Sequence, residues 1–300
     1  MKNTLLLKKK LQLLTIKELK LVYENLGLVY HPQNKYTLID HLYNKGGGSH
    51  NDITLYLMRH AKSCANILKE RHGDILNTYR NKEPDTALTD SGFTQSIIQG
   101  SRISSDIFDK FPKKDNKTII YTSNLSRTIE TAAGAVYGHR KTRDEISDTV
   151  VIPVPVIAEK RKFVKDLDNQ PVSSSRCLYL IVKDRIQKFF RKLNNIENIE
   201  INDSEIENFL QFITKDGLID NNLMGPSNVT KFLKNIHTLL DNQTDTLFAV
   251  SHHGFIKSII KRCNPMNRGV YKNKLKVDNT EIVKCILKYD SFANTYYVHS

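Results

Sequence analysis

Four short apolar runs recur along the chain, at 54–58 (TLYLM), 117–121 (KTIIY), 150–157 (VVIPVPVI) and 246–250 (TLFAV). Stretches of helical periodicity lie between or after them, over about 63–71, 91–109, 125–137, 180–193 and 228–240. Apolar runs too short for helices, alternating with amphipathic stretches, predict an α/β fold with a mostly parallel sheet covered on both faces. The expected architecture is a three-layer α/β/α sandwich. Two late runs, 281–289 and 295–298, add strands that would run antiparallel at an edge. The polar stretch 166–220 is expected to be a helical insertion.

Three of the four runs end in a polar cluster. Arg59 and His60 follow the first, Thr122, Ser123 and then Arg127 the second, and Ser251, His252 and His253 the fourth. In an open α/β sheet, ligands bind beyond the carboxyl ends of the strands, so these clusters should converge. Guanidinium groups present a rigid fork of donors to phosphate oxygens. Helix N-termini bring unpaired N–H groups and partial positive charge to the same place. An imidazole held in one tautomer among fixed charges can act as a nucleophile. The expected site is an anion trap containing a nucleophile.

A net charge of +13 favours an anionic partner, whether a phosphorylated metabolite, a phosphoprotein or nucleic acid. The same excess in a chain rich in Lys, Asn and Ile also reads as a solvated surface. The longest apolar runs fall short of the roughly 18 residues that span a bilayer. Leu5, Leu6 and Leu7 run straight into Lys8, Lys9 and Lys10, which leaves no signal-peptide core. These features predict a soluble intracellular protein, of cytoplasm or nucleus, with no membrane partner. Cys64, Cys177, Cys263 and Cys285 are scattered and read as reduced thiols, so neither metal nor cofactor is expected. Nothing in the sequence sets an oligomeric state.

Gly46, Gly47 and Gly48 open a linker, 46–51, because consecutive glycines cost much to order and bury nothing. It divides the chain into 1–45 and 52–300. In the first part Thr15 is placed to cap a helix from Ile16 to about Asn25, with Leu19, Val22 and Leu26 on one face and Gly27 ending it. A second short helix is predicted over 35–43, with Leu38, Ile39 and Leu42 inward. The stretch 13–43 resembles the SAP module, a helix-turn-helix unit, which implies DNA as a partner. Asn34 stands where that module usually has a turn glycine, and the other reading is a generic docking hairpin.

The polar clusters carry a second resemblance. LYLMRHAKSCAN resembles the R-H-G-x-x-x-x-N signature of the histidine phosphatase superfamily, which includes the phosphoglycerate mutases. DTALTDSGFTQ is similar to its D-x-x-L-T-x-x-G-x-x-Q stretch, with Asp85, Leu88, Thr89, Gly92 and Gln95 on the fixed positions. YTSNLSRTIETA and VSHHGFI resemble two further stretches, in the family's order. The resemblance implies His60 as the residue that takes up a phosphoryl group, with Arg59, Asn66, Arg127 and His252 holding it. It also implies a glutamate just after the third run as general acid, a place filled by Glu159; Asp144, Glu145 and Asp166 are weaker candidates. Glu159 has a second reading, as an ion-pair partner of Lys160, Arg161 or Arg127.

The departures are specific. Ala61 replaces a glycine, and His253 replaces another beside His252, so a shifted register would make His253 the functional residue. His31, His41, His72, His139, His237 and His299 lie outside any motif and are expected in packing or on the surface. Ser63 and Ser123 are read as phosphate donors or helix N-caps. The implied function is phosphomonoester hydrolysis through a phosphohistidine, with a phosphorylated substrate as partner. Two alternatives stand beside it: a phosphoglycerate-mutase-type phosphotransferase, and a DNA-binding protein on a catalytically inactive phosphatase fold.

Overall fold

The computed structural model describes residues 13–25, 52–68, 70, 85–114, 117–141, 149–159, 175–197, 203–210, 228–240, 245–262, 276–290 and 295–299. The chain divides into two compact units, Met1–Asp52 with Lys288–Tyr297, and Ile53–Leu287 with Val298–Ser300. In the first, helix α1 (Ile16–Asn25) opens with a reciprocal cap. Thr15 Oγ1 accepts from Glu18 N at 3.3 Å, and Glu18 Oε2 accepts from Thr15 N at 2.6 Å. Leu19 is fully buried, whereas Ile16 and Leu21 are exposed. The second predicted helix (35–43), the glycine linker, His31, His41 and His72 lie outside the described residues.

The second unit is an α/β sandwich built on a mixed, mostly parallel sheet with helices flanking it. Its strands are β1 (Ile53–Arg59), β2 (Lys113–Lys114), β3 (Lys117–Thr122), β4 (Thr149–Pro153), β5 (Thr246–Ser251) and β6 (Ile282–Asp290) as far as Leu287, while the end of β6 and all but the last residue of β7 (Thr295–Val298) fall in the first unit. The order within this unit is β2-β3-β5-β1-β6, and β4 also pairs with β3. Strand β1 runs parallel to β5, and β3 runs parallel to both β4 and β5. All residues of β4 and β5 are buried, as are those of β3 beyond Lys117, the mark of parallel strands covered on both sides. Strand β6 runs antiparallel to β1.

The helices of this unit are α2 (Asp90–Ser101), α3 (Ser105–Phe108), α4 (Ser126–Lys141), α5 (Ser175–Glu197), α6 (Asp203–Leu210), α7 (Val229–Asn235) and α8 (His253–Ile260). The helix expected over 91–109 is two helices, because the chain between them passes through an extended Ser104 (ψ 150). The third apolar run is not one strand. Pro153 and Pro155 lack the N–H a ladder needs, so β4 stops and a 3-10 turn, Pro155–Ile157, follows. Helix α7 likewise gives way to a 3-10 segment, Ile236–Leu239. Within 166–220 the described residues are the helices α5 and α6. Leu178, Val182, Ile186, Phe189 and Phe190 form the buried face of α5, and Phe189 stacks on Phe93 of α2 at 4.1 Å.

Helices α2 and α4 touch backbone to backbone through glycines. A Cβ on Gly100 would lie 1.9 Å from Ala135 O, and one on Gly138 would lie 1.9 Å from Ile97 O. His139 packs here, stacked on Phe108 at 4.1 Å with Nδ1 3.1 Å from Ile103 O, while His237 is exposed. Among the described residues no helix is long and apolar enough to cross a membrane.

Candidate active site

The strand order places the ends of β3, β5 and β1 side by side. Thr122 is in register with Val250, and Ser251 with Arg59. The pairing continues one residue further, since His60 N donates to Ser251 O at 2.9 Å and Ser123 N to Val250 O at 3.2 Å. His60, Ser123 and His252 therefore leave the sheet together. The rings of His60 and His252 lie 5.1 Å apart.

His60 is 5 % exposed, and its Nδ1 lies 2.8 Å from Ala61 O. A carbonyl oxygen only accepts, so Nδ1 carries the proton and Nε2 carries the lone pair. Burial pushes the His60 pKa well below the usual imidazole value, and the charges of Arg127 and then Arg59 push the same way. The ring is neutral at physiological pH. His252 is fully buried, its pKa lowered by burial, Arg127, His60 and Arg59 in that order. Its Nε2 is 2.7 Å from Ser123 Oγ, and among the described residues its Nδ1 has no partner. His252 is the N-cap residue of α8, and His253 begins that helix.

The arginines sit on different elements. Arg59 ends β1, and its Nη1 donates to Val277 O at 2.6 Å while among the described residues its Nε has no partner. Burial lowers its pKa; Glu159 and then Asp278 oppose that shift. Arg127 lies in the first turn of α4, 3 % exposed. Glu159 follows the 3-10 turn, and its Oε2 accepts from Gly254 N at 3.3 Å. A Cβ on Gly254 would lie 2.0 Å from Glu159 Oε1, so the carboxylate occupies the space that the glycine leaves. Asn66 Oδ1 accepts from Ser63 N at 3.1 Å and Ser63 Oγ at 3.2 Å. Asp144, Glu145, Lys160, Arg161 and Asp166 lie outside the described residues. Among the described residues no group of three or more His, Cys, Asp and Glu side chains could hold a metal ion.

The second motif stretch acts one layer behind these groups. Asp85 sits at φ 53 with its carboxylate on Ser126 N, 2.8 and 3.0 Å away, where it closes the N-terminus of α4 just before Arg127. Burial raises the Asp85 pKa, with Arg127 opposing. Thr89 caps α2 and also donates through N and Oγ1 to Lys62 O, both at 3.1 Å. Gln95 Oε1 accepts from Lys62 N at 3.1 Å. A Cβ on Gly92 would stand 2.1 Å from Lys62 O, so only glycine admits this contact. The stretch thus clamps the loop that follows His60.

Sequence reasoning missed three supports. Ser123 Oγ meets His252 Nε2 at 2.7 Å besides accepting from Leu125 N at 3.2 Å ahead of α4. Fully buried Glu130 accepts from Leu88 N at 2.8 Å and pairs with Arg185 of α5 at 3.2 Å. Burial raises the Glu130 pKa, opposed by Arg185. Asn279, in the turn before β6, donates through Nδ2 to His60 O at 2.8 Å. No spacing signal marks Asn279, because it reaches the site from the far end of the chain.

No protein-family model matches the chain, and no curated protein matches it. Solved structures are similar to it at low identity. A phosphoglycerate mutase from Bacillus anthracis str. Sterne is 17% identical with a TM-score of 0.41, over 83% of this chain and 92% of that one. A mycobacterial glucosyl-3-phosphoglycerate phosphatase in complex with VO3 is 14% identical with a TM-score of 0.36, over 83% and 98%. A phosphoserine phosphatase from Entamoeba histolytica, in complex with 3-phosphoglyceric acid, is 19% identical with a TM-score of 0.36, over 82% and 95%.

Proposed function

We propose that this chain is a phosphomonoester hydrolase that works through a phosphohistidine on His60. The observation that carries this reading is the 2.8 Å contact of His60 Nδ1 with Ala61 O, which leaves Nε2 as the unprotonated nitrogen of a ring that feels the charges of Arg127 and Arg59. Arg59, Arg127, Asn66 and His252 hold the phosphoryl group, and their charges and donors offset the negative charge spread over its oxygens. His60 Nε2 attacks phosphorus in line, and the bond to the leaving oxygen breaks. Glu159 gives that oxygen its proton, then takes one from the water that attacks the phosphohistidine, returning His60 and free phosphate. Glu159 must be protonated at the first step, and a phosphate dianion bound beside it raises a carboxyl pKa in the required direction.

The test is release of phosphate from a broad phosphomonoester panel with EDTA present, comparing wild type with His60→Ala. Hydrolysis by wild type alone, with acid-labile label on the protein during turnover, is the expected result. Equal turnover by His60→Ala refutes the assignment. Formation of 2-phosphoglycerate from 3-phosphoglycerate would instead identify a mutase-type phosphotransferase.

A further inference from the structure

The turn that precedes β6 is bound to the end of β1 along its whole length. Arg59 Nη1 donates to Val277 O at 2.6 Å, Thr280 N donates to Arg59 O at 3.0 Å, and Arg59 N donates to Glu281 O at 3.0 Å. The turn itself is closed by Glu281 N on Asp278 O at 3.1 Å and by Asp278 N on Glu281 Oε2 at 2.9 Å. Thr280 sits at φ 62. A β-branched residue is strained there, and such a conformation persists only where its surroundings over-determine it. At the centre of this construction is Asn279, whose Nδ2 donates to His60 O at 2.8 Å and to Asn66 Oδ1 at 3.2 Å.

Those two bonds have one consequence. Asn66 Oδ1 faces three donors, from Ser63 N, Ser63 Oγ and Asn279 Nδ2, at 3.1–3.2 Å. Rotating the Asn66 amide by half a turn would set its NH2 against two groups that can only donate, Ser63 N and Asn279 Nδ2, so the orientation is fixed. Among the described residues Asn66 Nδ2 has no acceptor, which makes it the available donor of that amide. We propose that Asn279 is a positioning residue: it holds the His60 carbonyl and the Asn66 amide so that Asn66 Nδ2 donates to the bound phosphoryl group. This rests on the phosphoryl-transfer reading of the site. Asn279 touches neither the substrate nor the reacting atoms and acts through Asn66 and His60.

The experiment is a double-mutant cycle of wild type, Asn279→Ala, Asn66→Ala and the double variant, read by kcat/KM for p-nitrophenyl phosphate and by the Kd for orthovanadate. A positioning role predicts that Asn279→Ala costs about 10-fold in the wild-type background but under about 3-fold once Asn66 is alanine. A merely structural role predicts the same loss in both backgrounds, and that result, or no loss at all, overturns the proposal. Asn279→Asp has the same shape but presents acceptors to acceptors, so it should lose at least as much as alanine; it carries the cycle if Asn279→Ala does not fold. Wild type that neither hydrolyses the ester nor binds orthovanadate refutes the phosphoryl reading and this proposal with it. Wild type that does either, with an indifferent Asn279, refutes this proposal alone.

Discussion

Replacing Ser123 with alanine removes one oxygen from the end of β3 and leaves the backbone alone. Three groups lose a partner: His252 Nε2 at 2.7 Å, Thr128 Oγ1 at 2.9 Å and Leu125 N at 3.2 Å. Thr128 Oγ1 keeps Leu125 O at 2.7 Å, so it is not stranded. His252 is, because its ring is fully buried and Nδ1 has no partner among the described residues either. A buried polar group left unsatisfied costs about 1–3 kcal/mol. Taking about 2 kcal/mol, a unit of this size should lose about 4–8 °C in Tm. Activity reports separately on orientation. If the hydroxyl is what aims the imidazole at the phosphoryl group, the same range lowers kcat/KM by about 5- to 150-fold. Thermal melts and phosphate release on one preparation measure both. A lowered Tm with unchanged kcat/KM would show that the hydroxyl only satisfies a buried ring, and no change in either would refute the argument altogether.

Two other perturbations probe the packing and the protonation states. Gly100→Ala places a Cβ 1.9 Å from Ala135 O, with only backbone to yield, so α2 and α4 must separate; the expected loss is about 3 kcal/mol, read as a fall in Tm, and an unchanged melt would contradict the close contact. His60 is held neutral in the fold but takes a proton in the unfolded chain below about 6.5, so its contribution disfavours the fold increasingly as pH drops through that value. His60→Asn lacks that titration. Denaturant unfolding from pH 7 to 5 should therefore decline less steeply for the variant, by up to about 1.4 kcal/mol per pH unit, and parallel slopes would argue against a depressed His60.

Much of the second unit's fold was readable because burial and strand pairing leave marks in sequence. The runs beginning at Thr54, Lys117 and Thr246 are strands within one residue of their expected ends, since each is a short apolar segment bounded by polar residues. The run 150–157 misled at its end, where prolines override apolar composition. Helix 91–109 misled because its periodicity continues across a break made by the extended Ser104. For the site, proximity in sequence decided what was legible. Arg59 with His60, and Ser123 with Arg127, are neighbours along the chain. The roles of Asp85, Gln95 and Asn279 depend on which distant carbonyl or N–H each one meets, and no periodicity encodes that.

Strand β1 lies between β5 and β6, so the strand that leads into His60 is paired on both sides with segments made much later. Between the emergence of Arg59 and that of Ser251, its partner in register, a ribosome adds about 190 residues, or roughly 10–40 s of synthesis at ~5–20 residues per second. Through that interval the apolar β1 has no neighbour to pair with. Contacts of such long sequence separation also slow refolding, because loop closure is unfavourable until both strands are in hand. The nascent chain thus carries β1 without its native partners until β5 and β6 arrive.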